Sequence, residues 1–405
     1  MNILSINTFF PFPTRRGMDI VYLNLLKTQA LKHDVTLVSM RRGADEDAHL
    51  DAIRPYVRDV HLAGERTRGV ATKIADRLRS GVLSSLLWRP GCTFYDSAPA
   101  MARLVAEVSG KQRFDVVEVH HSPSAGLIRH AQGAASLLYM YDVHFRSAAR
   151  LAETRSGMAR ARADIEASRF RHFEPRAARR FDGVLFGQEE DQRTLAPYLR
   201  DGMVTGLMPN IIDTDRLQPL AEAGTKRAVV FVGAMSHRAN VDGILHFQAE
   251  LWDQVRARAG DVELWLVGAT PPPEILALDG QRGIRVHADV PDVRPFIDAA
   301  MVYVAPLRVG SGVKVKIMEA LAMGKAIVAS PVAAEGMGLA GGEDLEICEL
   351  GDAFVDAVVA LLDDPGARQA LQQRARQTAV ARFGFARGAV ELDAIYARLQ
   401  SARKG

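Results

Sequence analysis

Residues 301–331 read MVYVAPLRVGSGVKVKIMEALAMGKAIVASP, and this order of residue types spells out a strand, a glycine loop, a helix and a second strand. The apolar, β-rich run 301–306 predicts the first strand, after which Gly310 and Gly312 open a loop able to take backbone conformations closed to other residues. A helix is expected from about residue 313. Val315, Ile317, Met318, Leu321 and Ala322 form its buried side, while Lys316 and Glu319, three apart, share another face. Gly324 ends the helix and 326–330 is the next strand. A helix N-terminus with free amides, a glycine approach and a lysine one turn in suits a diphosphate. Glu319 lies too deep to help bind that anion, so a sugar hydroxyl is its natural partner. The passage thus predicts a nucleotide-sugar site. The plain alternative is a surface Lys–Glu pair worth roughly a few tenths of a kcal/mol, and the loop is neither a GxGxxG nor a P-loop.

Outward from this unit, the chain alternates strands and helices. In the first half, 2–7, 35–39, 57–62, 115–120, 136–142 and 182–187 predict strands, with helical stretches such as 17–32 and 124–132 between them. A second set follows at 228–233, 262–268, 284–287, 301–306 and 326–330. Both sets imply parallel, doubly wound sheets. Between them Pro219 and Gly224 break the periodicity, which places a linker at 220–225. At 405 residues and 48% hydrophobic content the chain can bury two cores of about 150–200 residues each.

Composition excludes several classes. Lys and Arg total 51 against 48 Asp and Glu, a net charge of +3 that does not fit nucleic-acid binding, and no aromatic-basic motif supports it. Two cysteines, Cys92 and Cys348, form neither a disulfide framework nor a metal site and point to a reducing compartment. No apolar run approaches the roughly 18 residues of a membrane span, and the opening residues read as a strand, not as a signal peptide. A cytoplasmic protein is expected.

The segment ending Glu319-Ala320-Leu321-Ala322-Met323-Gly324 resembles the C-terminal signature of the family-4 retaining glycosyltransferases (group 1 glycosyl transferases) of GT-B architecture, whose Glu-Ala-x-Ala-x-Gly helix holds the donor nucleotide sugar. MPNIIDTDRLQP (208–219) resembles the family's interdomain segment, with Ile211 where glycine is usual. FVGAMSHRANVDGILHF (231–247) resembles its donor-phosphate strand and loop, and VPDVRPFIDAAMVYVAPL its approach to the donor site. FPFPTRRGMDIVYLNLLKTQALKHDVTLVS resembles its opening loop, helix and second strand, with Arg16-Gly17 where two glycines usually stand. The resemblance implies a GT-B fold of two Rossmann-like domains facing across a cleft: an acceptor-side domain over 1–212, a donor-binding domain over 213–383, and a helix from 384 to 405 that crosses back to the first. Val390, Leu392, Ile395, Tyr396 and Leu399 give that last stretch an amphipathic pattern.

The departures from the family pattern define a subfamily. Counting back from Glu319, the first member of the usual Glu-x7-Glu pair is Ser311. The loop after Gly233 offers His237, Arg238 and Asn240 in place of the common Arg and Lys-Gly diphosphate contacts. The resemblance assigns catalysis to His120, Lys316 and Arg238, and donor binding to Arg16, Gly17, Gly233, Gly310, Ser311, Gly312, Lys314 and Glu319. Asp142 and His144, ending the strand YMYDVH, are candidates for the acceptor or cleft. His120 is also open to a plain reading, as a hydrogen-bonded core histidine at a strand end. The implied chemistry is metal-free and without cofactor: basic side chains and helix amides neutralise the leaving nucleoside diphosphate while the glycosidic bond loosens, with retention of anomeric configuration.

The expected partners are a nucleotide-sugar donor and a carbohydrate, lipid-linked or small-molecule acceptor, as in glycan or polysaccharide biosynthesis. Residues 62–90 mix Arg66, Arg68, Lys73, Arg77 and Arg79 with Leu83, Leu86, Leu87 and Trp88. They read either as a solvated helical face or as a peripheral contact with the inner membrane face. The Arg-rich stretch 146–180 reads as an exposed helix. Two rival functions stand beside the transferase: a GT-B nucleotide-sugar epimerase and a non-catalytic nucleotide-sugar-binding subunit.

Overall fold

The computed structural model describes the chain except for residues 15–16, 42–47, 65–83, 85, 94–98, 154, 221–223, 311–313 and 403–405. It divides into two compact units, Met1–Pro209 with Ala389–Gly405, and Asn210–Gly388. The division falls at Pro209, against an expected boundary at 212.

The first unit is built on seven parallel strands: β1 (Asn2–Asn7), β2 (Asp34–Met40), β3 (Asp59–Ala63), β4 (Val116–His120), β5 (Ala135–Met140), β6 (Gly183–Phe186) and β7 (Val204–Leu207), in the order β3-β2-β1-β4-β5-β6-β7. The inner strands are buried on both faces, so they read as near-continuous apolar runs instead of alternating ones. Helices α1 (Gly17–Gln29), α2 (Pro99–Lys111), α3 (His144–Glu153) and α4 (Gly157–Ala178) belong to this unit. The helix expected at 124–132 is instead a 3-10 run, Ser122–His130. Gly126 weakens a regular α-helix there, and the run's first six residues are all buried.

The second unit carries β8 (Lys226–Val232), β9 (Glu263–Gly268), β10 (Ile284–Ala288), β11 (Ala300–Ala305), β12 (Ala326–Ala329) and β13 (Glu346–Ile347) in the order β10-β9-β8-β11-β12-β13. β11 pairs in parallel with β8, Val302 opposite Val229. The two helices that matter for the site are α5 (Arg238–His246) and α6 (Val315–Ala322). Gly324, at φ +61°, ends α6 as the sequence predicted: the Lys325 N–H donates to the Ala320 carbonyl across it at 3.0 Å. The unit's two ends are joined by the Ile212 N–H donating to the Phe383 carbonyl at 2.8 Å.

Helix α7 (Phe385–Ala402) runs from the second unit into the first. Leu392, Ile395, Tyr396 and Leu399 are buried, whereas Val390, assigned to the same face by spacing, is exposed. The Tyr396 hydroxyl donates to the buried Glu118 carboxylate at 2.6 Å, and the Tyr139 hydroxyl donates to the same oxygen at 3.0 Å. Gln29 Nε2 donates both to Glu118 at 2.8 Å and to the Tyr396 oxygen at 2.7 Å. A carboxylate inside a sheet core persists only when so satisfied. Burial nevertheless pushes its pKa upward, against the hydrogen bonds from Tyr396, Gln29 and Tyr139.

Candidate functional site

In the second unit the chain steps from β8 outward through β9 to β10 and then returns beside β8 as β11. Where an open α/β sheet reverses like this, the carboxyl ends of the two central strands leave a crevice for ligands. Gly233 and Ala234 follow β8, and residues 306–310 follow β11. Helix α5 packs closely on the latter loop: a Cβ at Gly243 would stand 2.6 Å from the Pro306 carbonyl oxygen. An Arg308–Asp242 ion pair at 3.6 Å ties the same segments together.

Lys316 sits in the first turn of α6. Its Nζ donates to Asn240 Oδ1 at 2.5 Å and lies 4.5 Å from the centre of the Phe231 ring. Asn240 is itself anchored, its Nδ2 donating to the Ala234 carbonyl at 2.7 Å. The ammonium is therefore held by an amide on one side and an aromatic face on the other. Gly233 makes this possible, since a Cβ there would stand 2.8 Å from both Asn240 Nδ2 and Lys316 Nζ.

Burial pulls the Lys316 ammonium down to about 7, with Glu319 opposing that fall and Lys314 adding to it. Burial also lifts the Glu319 carboxyl to about 7, against the pull of Arg216 and Lys316. Both groups thus change charge near neutrality. Lys314, directly before α6, is buried and has its pKa lowered by desolvation, with Glu335 opposing. Its Cε lies 3.6 Å from where a Cβ would stand on Gly310, whose φ of +142° few other residues adopt. Arg238, exposed, is the first residue of α5. The structure therefore brings Gly233, Gly310, Lys314, Lys316 and Glu319 to one strand switch, with Arg238 opening the helix that follows β8. Ser311 and Gly312 lie outside the described residues.

Sequence reasoning did not single out Phe231 or Arg216. Phe231 is one residue of an apolar strand and carries no polar signal. Arg216, whose charge acts on Glu319, lies a hundred residues earlier in an irregular segment.

The first unit reverses between β1 and β4, and His120 ends β4. It is fully buried. Its Nε2 bonds Ser5 Oγ at 3.0 Å, its Nδ1 bonds the Tyr141 hydroxyl at 2.9 Å, and its ring stacks on Tyr139 at 4.5 Å. Burial, with His121 adding to it, holds its pKa well below the ordinary value, so the ring is neutral. The next residue, His121, adopts φ +72° and is only partly buried, stacked on Tyr141 at 4.7 Å and edge-on to Phe9 at 5.3 Å.

Asp142 accepts from Ser147 Oγ at 2.6 Å. His144 opens α3 with Nδ1 3.1 Å from the buried carboxylate of Glu174, which also accepts from the Ser122 hydroxyl at 2.6 Å. Glu174 caps the helix as well, accepting from the backbone N–H groups of His144 and Phe145, each at 3.1 Å. Gly17 begins α1, where a Cβ would meet nothing within 4 Å. Arg16 lies outside the described residues. Among the described residues no group of three His, Cys, Asp or Glu side chains is placed to hold a metal ion, and no helix is long and apolar enough to cross a membrane.

Two α/β units, each with an all-parallel sheet and its switch point at the first strand of the unit, define the GT-B class of fold. Residues 226–364, within the second unit, match the family model described as "Glycosyl transferases group 1". Among solved structures, the sucrose-phosphate synthase from Thermosynechococcus elongatus aligns at TM-score 0.71 and 16% identity over 99% of both chains. HepE from Anabaena, solved in complex with UDP and glucose, aligns at 0.65 and 13% identity over 98% of this chain and 100% of that one. TarM aligns at 0.68 and 8% identity over 98% of each. At these identities the likeness establishes the fold. No curated protein sequence matches the chain.

Proposed function

We propose that the protein is a retaining glycosyltransferase of the family-4 type that moves a sugar from a nucleotide donor to a glycan, lipid-linked or small-molecule hydroxyl without a metal ion. The observation that carries this reading is Lys316, held by Asn240 and Phe231 beside Gly233 at the β8–β11 switch. A diphosphate there gains a charge-assisted partner and the N-terminal dipole of α6, and as the glycosidic bond loosens the same groups stabilise the departing nucleoside diphosphate. Glu319, one turn deeper, takes a ribose hydroxyl, while Arg238 and Lys314 add positive charge.

The first unit takes the acceptor side. His120, neutral, fully buried and bonded at both ring nitrogens, acts as a positioning group at the end of β4, and Asp142 and His144 stand on the acceptor side. The acceptor hydroxyl loses its proton to the leaving phosphate as it attacks. A cytoplasmic location accords with a chain whose two cysteines, Cys92 and Cys348, form no disulfide.

The test is a thermal-shift and titration series with UDP-, GDP- and ADP-sugars, UDP first because HepE and TarM neighbours are in complex with it. It is run on the wild-type chain and on Lys316→Ala and Glu319→Ala. Saturable stabilisation by one nucleotide class, weakened in both variants, supports the site. Product anomeric configuration by NMR then tests retention. Conversion of the donor without any acceptor would replace the transferase by an epimerase, and tight binding without turnover would favour a non-catalytic subunit.

A further inference from the structure

We propose that the first unit docks on an anionic phospholipid bilayer through one surface formed by residues 86–89, helix α4 and Arg129. This inference does not depend on the activity proposed above. Leu86, Leu87 and Trp88 are consecutive and exposed at 75%, 54% and 42%, although all three are large and apolar. Consecutive apolar side chains left in water mark a contact surface more often than isolated ones do.

Their presentation is built into the backbone. Trp88 has φ +47°, and the Arg89 N–H donates to the Ser84 carbonyl at 3.2 Å across it. In such a turn the left-handed position is ordinarily glycine. The Ser84 hydroxyl, donating to the Arg89 carbonyl at 2.5 Å, closes the turn a second time. A tryptophan held at a glycine position, with its ring outward, is retained against a local conformational cost.

The surroundings are basic. The Arg169 guanidinium lies 5.5 Å from the centre of the Trp88 ring, and that of Arg89 lies 5.1 Å from the Phe173 ring. Arg89, Arg129 and Arg180 stand close enough that, beyond the effect of burial, the charges of the other two lower the Arg89 pKa. Along α4, Met158, Arg162, Ile165, Arg169 and Arg176 recur at spacings of four, three, four and seven, one helical stripe. Met158 is 80% and Ile165 43% exposed, whereas Ala163, Phe170 and Ala177 turn into the core and Phe173, on the stripe between Arg169 and Arg176, is buried beside Arg89. The carboxylate on this face, Glu166, pairs with Arg169 at 3.4 Å. Apolar side chains interleaved with like-charged arginines suit a surface that is negatively charged outside and apolar just beneath. A soluble anion would satisfy the arginines but leave Leu86, Leu87 and Trp88 in water.

The experiment is flotation of the full-length protein with vesicles of phosphatidylcholine alone and of phosphatidylcholine mixed with phosphatidylglycerol. Binding is expected to the mixed vesicles only, and to be lost in roughly 1 M salt, where charges are screened beyond about 3 Å. Arg129→Ala with Arg180→Ala should weaken partitioning about 30-fold, at about fivefold per arginine. Trp88→Gly, which suits the left-handed turn and so preserves the fold, should lower the bound fraction, and brominated lipid should quench wild-type fluorescence more than that of the variant. Circular dichroism melts confirm that the variants are folded. Absence of binding to the mixed vesicles, binding unchanged in both variants, or binding to heparin or RNA with none to vesicles would overturn the proposal.

Discussion

Lys316 provides a quantitative handle on the donor site. Its ammonium is pulled to about 7 by burial, from an ordinary 10.5. A diphosphate bound against it supplies the missing counter-charge and restores the charged form, so binding takes up a proton wherever the free protein has lost it. The sign follows: affinity is at its plateau below pH 7 and falls as pH rises, by up to about tenfold, or about 1.4 kcal/mol, per unit. If the bound state regains the ordinary lysine value, affinity drops about 90-fold between pH 6 and pH 9, with uptake of about 0.9 proton at pH 8. Glu319, with its carboxyl near 7, becomes anionic over the same range and sustains the lysine charge, so it blunts the slope. Glu319→Gln should therefore move the onset of the fall to lower pH. Isothermal titration of a nucleotide sugar in buffers of different ionisation enthalpy reads both the affinity and the proton. Lys316→Met, which keeps all but the last atom of the side chain's length and cannot titrate, is the control. A slope that persists in Lys316→Met, or no slope in the wild type, refutes the reasoning.

Three further outcomes are expected. Gly233→Ala places a methyl group against Asn240 and Lys316 and should weaken nucleotide-sugar affinity roughly 10- to 100-fold through loss of the charge-assisted bond, with little change in the urea midpoint. Tyr396→Phe leaves Glu118 and Gln29 short of a partner and should cost about 1–3 kcal/mol in urea unfolding. Trp88→Gly should raise the unfolding free energy by roughly 0.5–1 kcal/mol, the left-handed penalty of about 1–2 less the backbone entropy that glycine adds; a thermal melt reads it.

Both parallel sheets were legible because buried strands announce themselves as apolar runs such as 228–233 and 301–306, and because glycines punctuate them. β13 escaped notice, being only Glu346–Ile347, and so did β7, in which just Val204 is buried. The 3-10 run Ser122–His130 was read as α-helix because its apolar residues fit either period over so short a span. At the site, Lys316, Glu319 and the glycines could be read because they lie within one continuous loop and helix. Arg216 and Phe231 could not, since their proximity to α6 arises from the tertiary fold, Phe231 through sheet order and Arg216 from an irregular segment, and not from sequence spacing. For the same reason the pairing of Trp88 with Arg169 had no sequence signal: eighty residues separate the two, and the stretch 146–180 read only as a charged helix. Spacing also put Val390 on the inner face of α7, where the structure exposes it.

The path of the chain has a consequence for its biosynthesis. The segment Asn210–Gly388 closes on itself, Ile212 bonded to Phe383, and can consolidate as soon as those residues leave the ribosome. Glu118, by contrast, is translated early but receives the Tyr396 hydroxyl almost three hundred residues later. During elongation the unit begun first is thus the unit completed last, its central carboxylate held by Gln29 and Tyr139 but short of its third donor until α7 arrives. A nascent chain arrested before residue 389 should hold a protease-resistant second unit beside a first unit still open to cleavage.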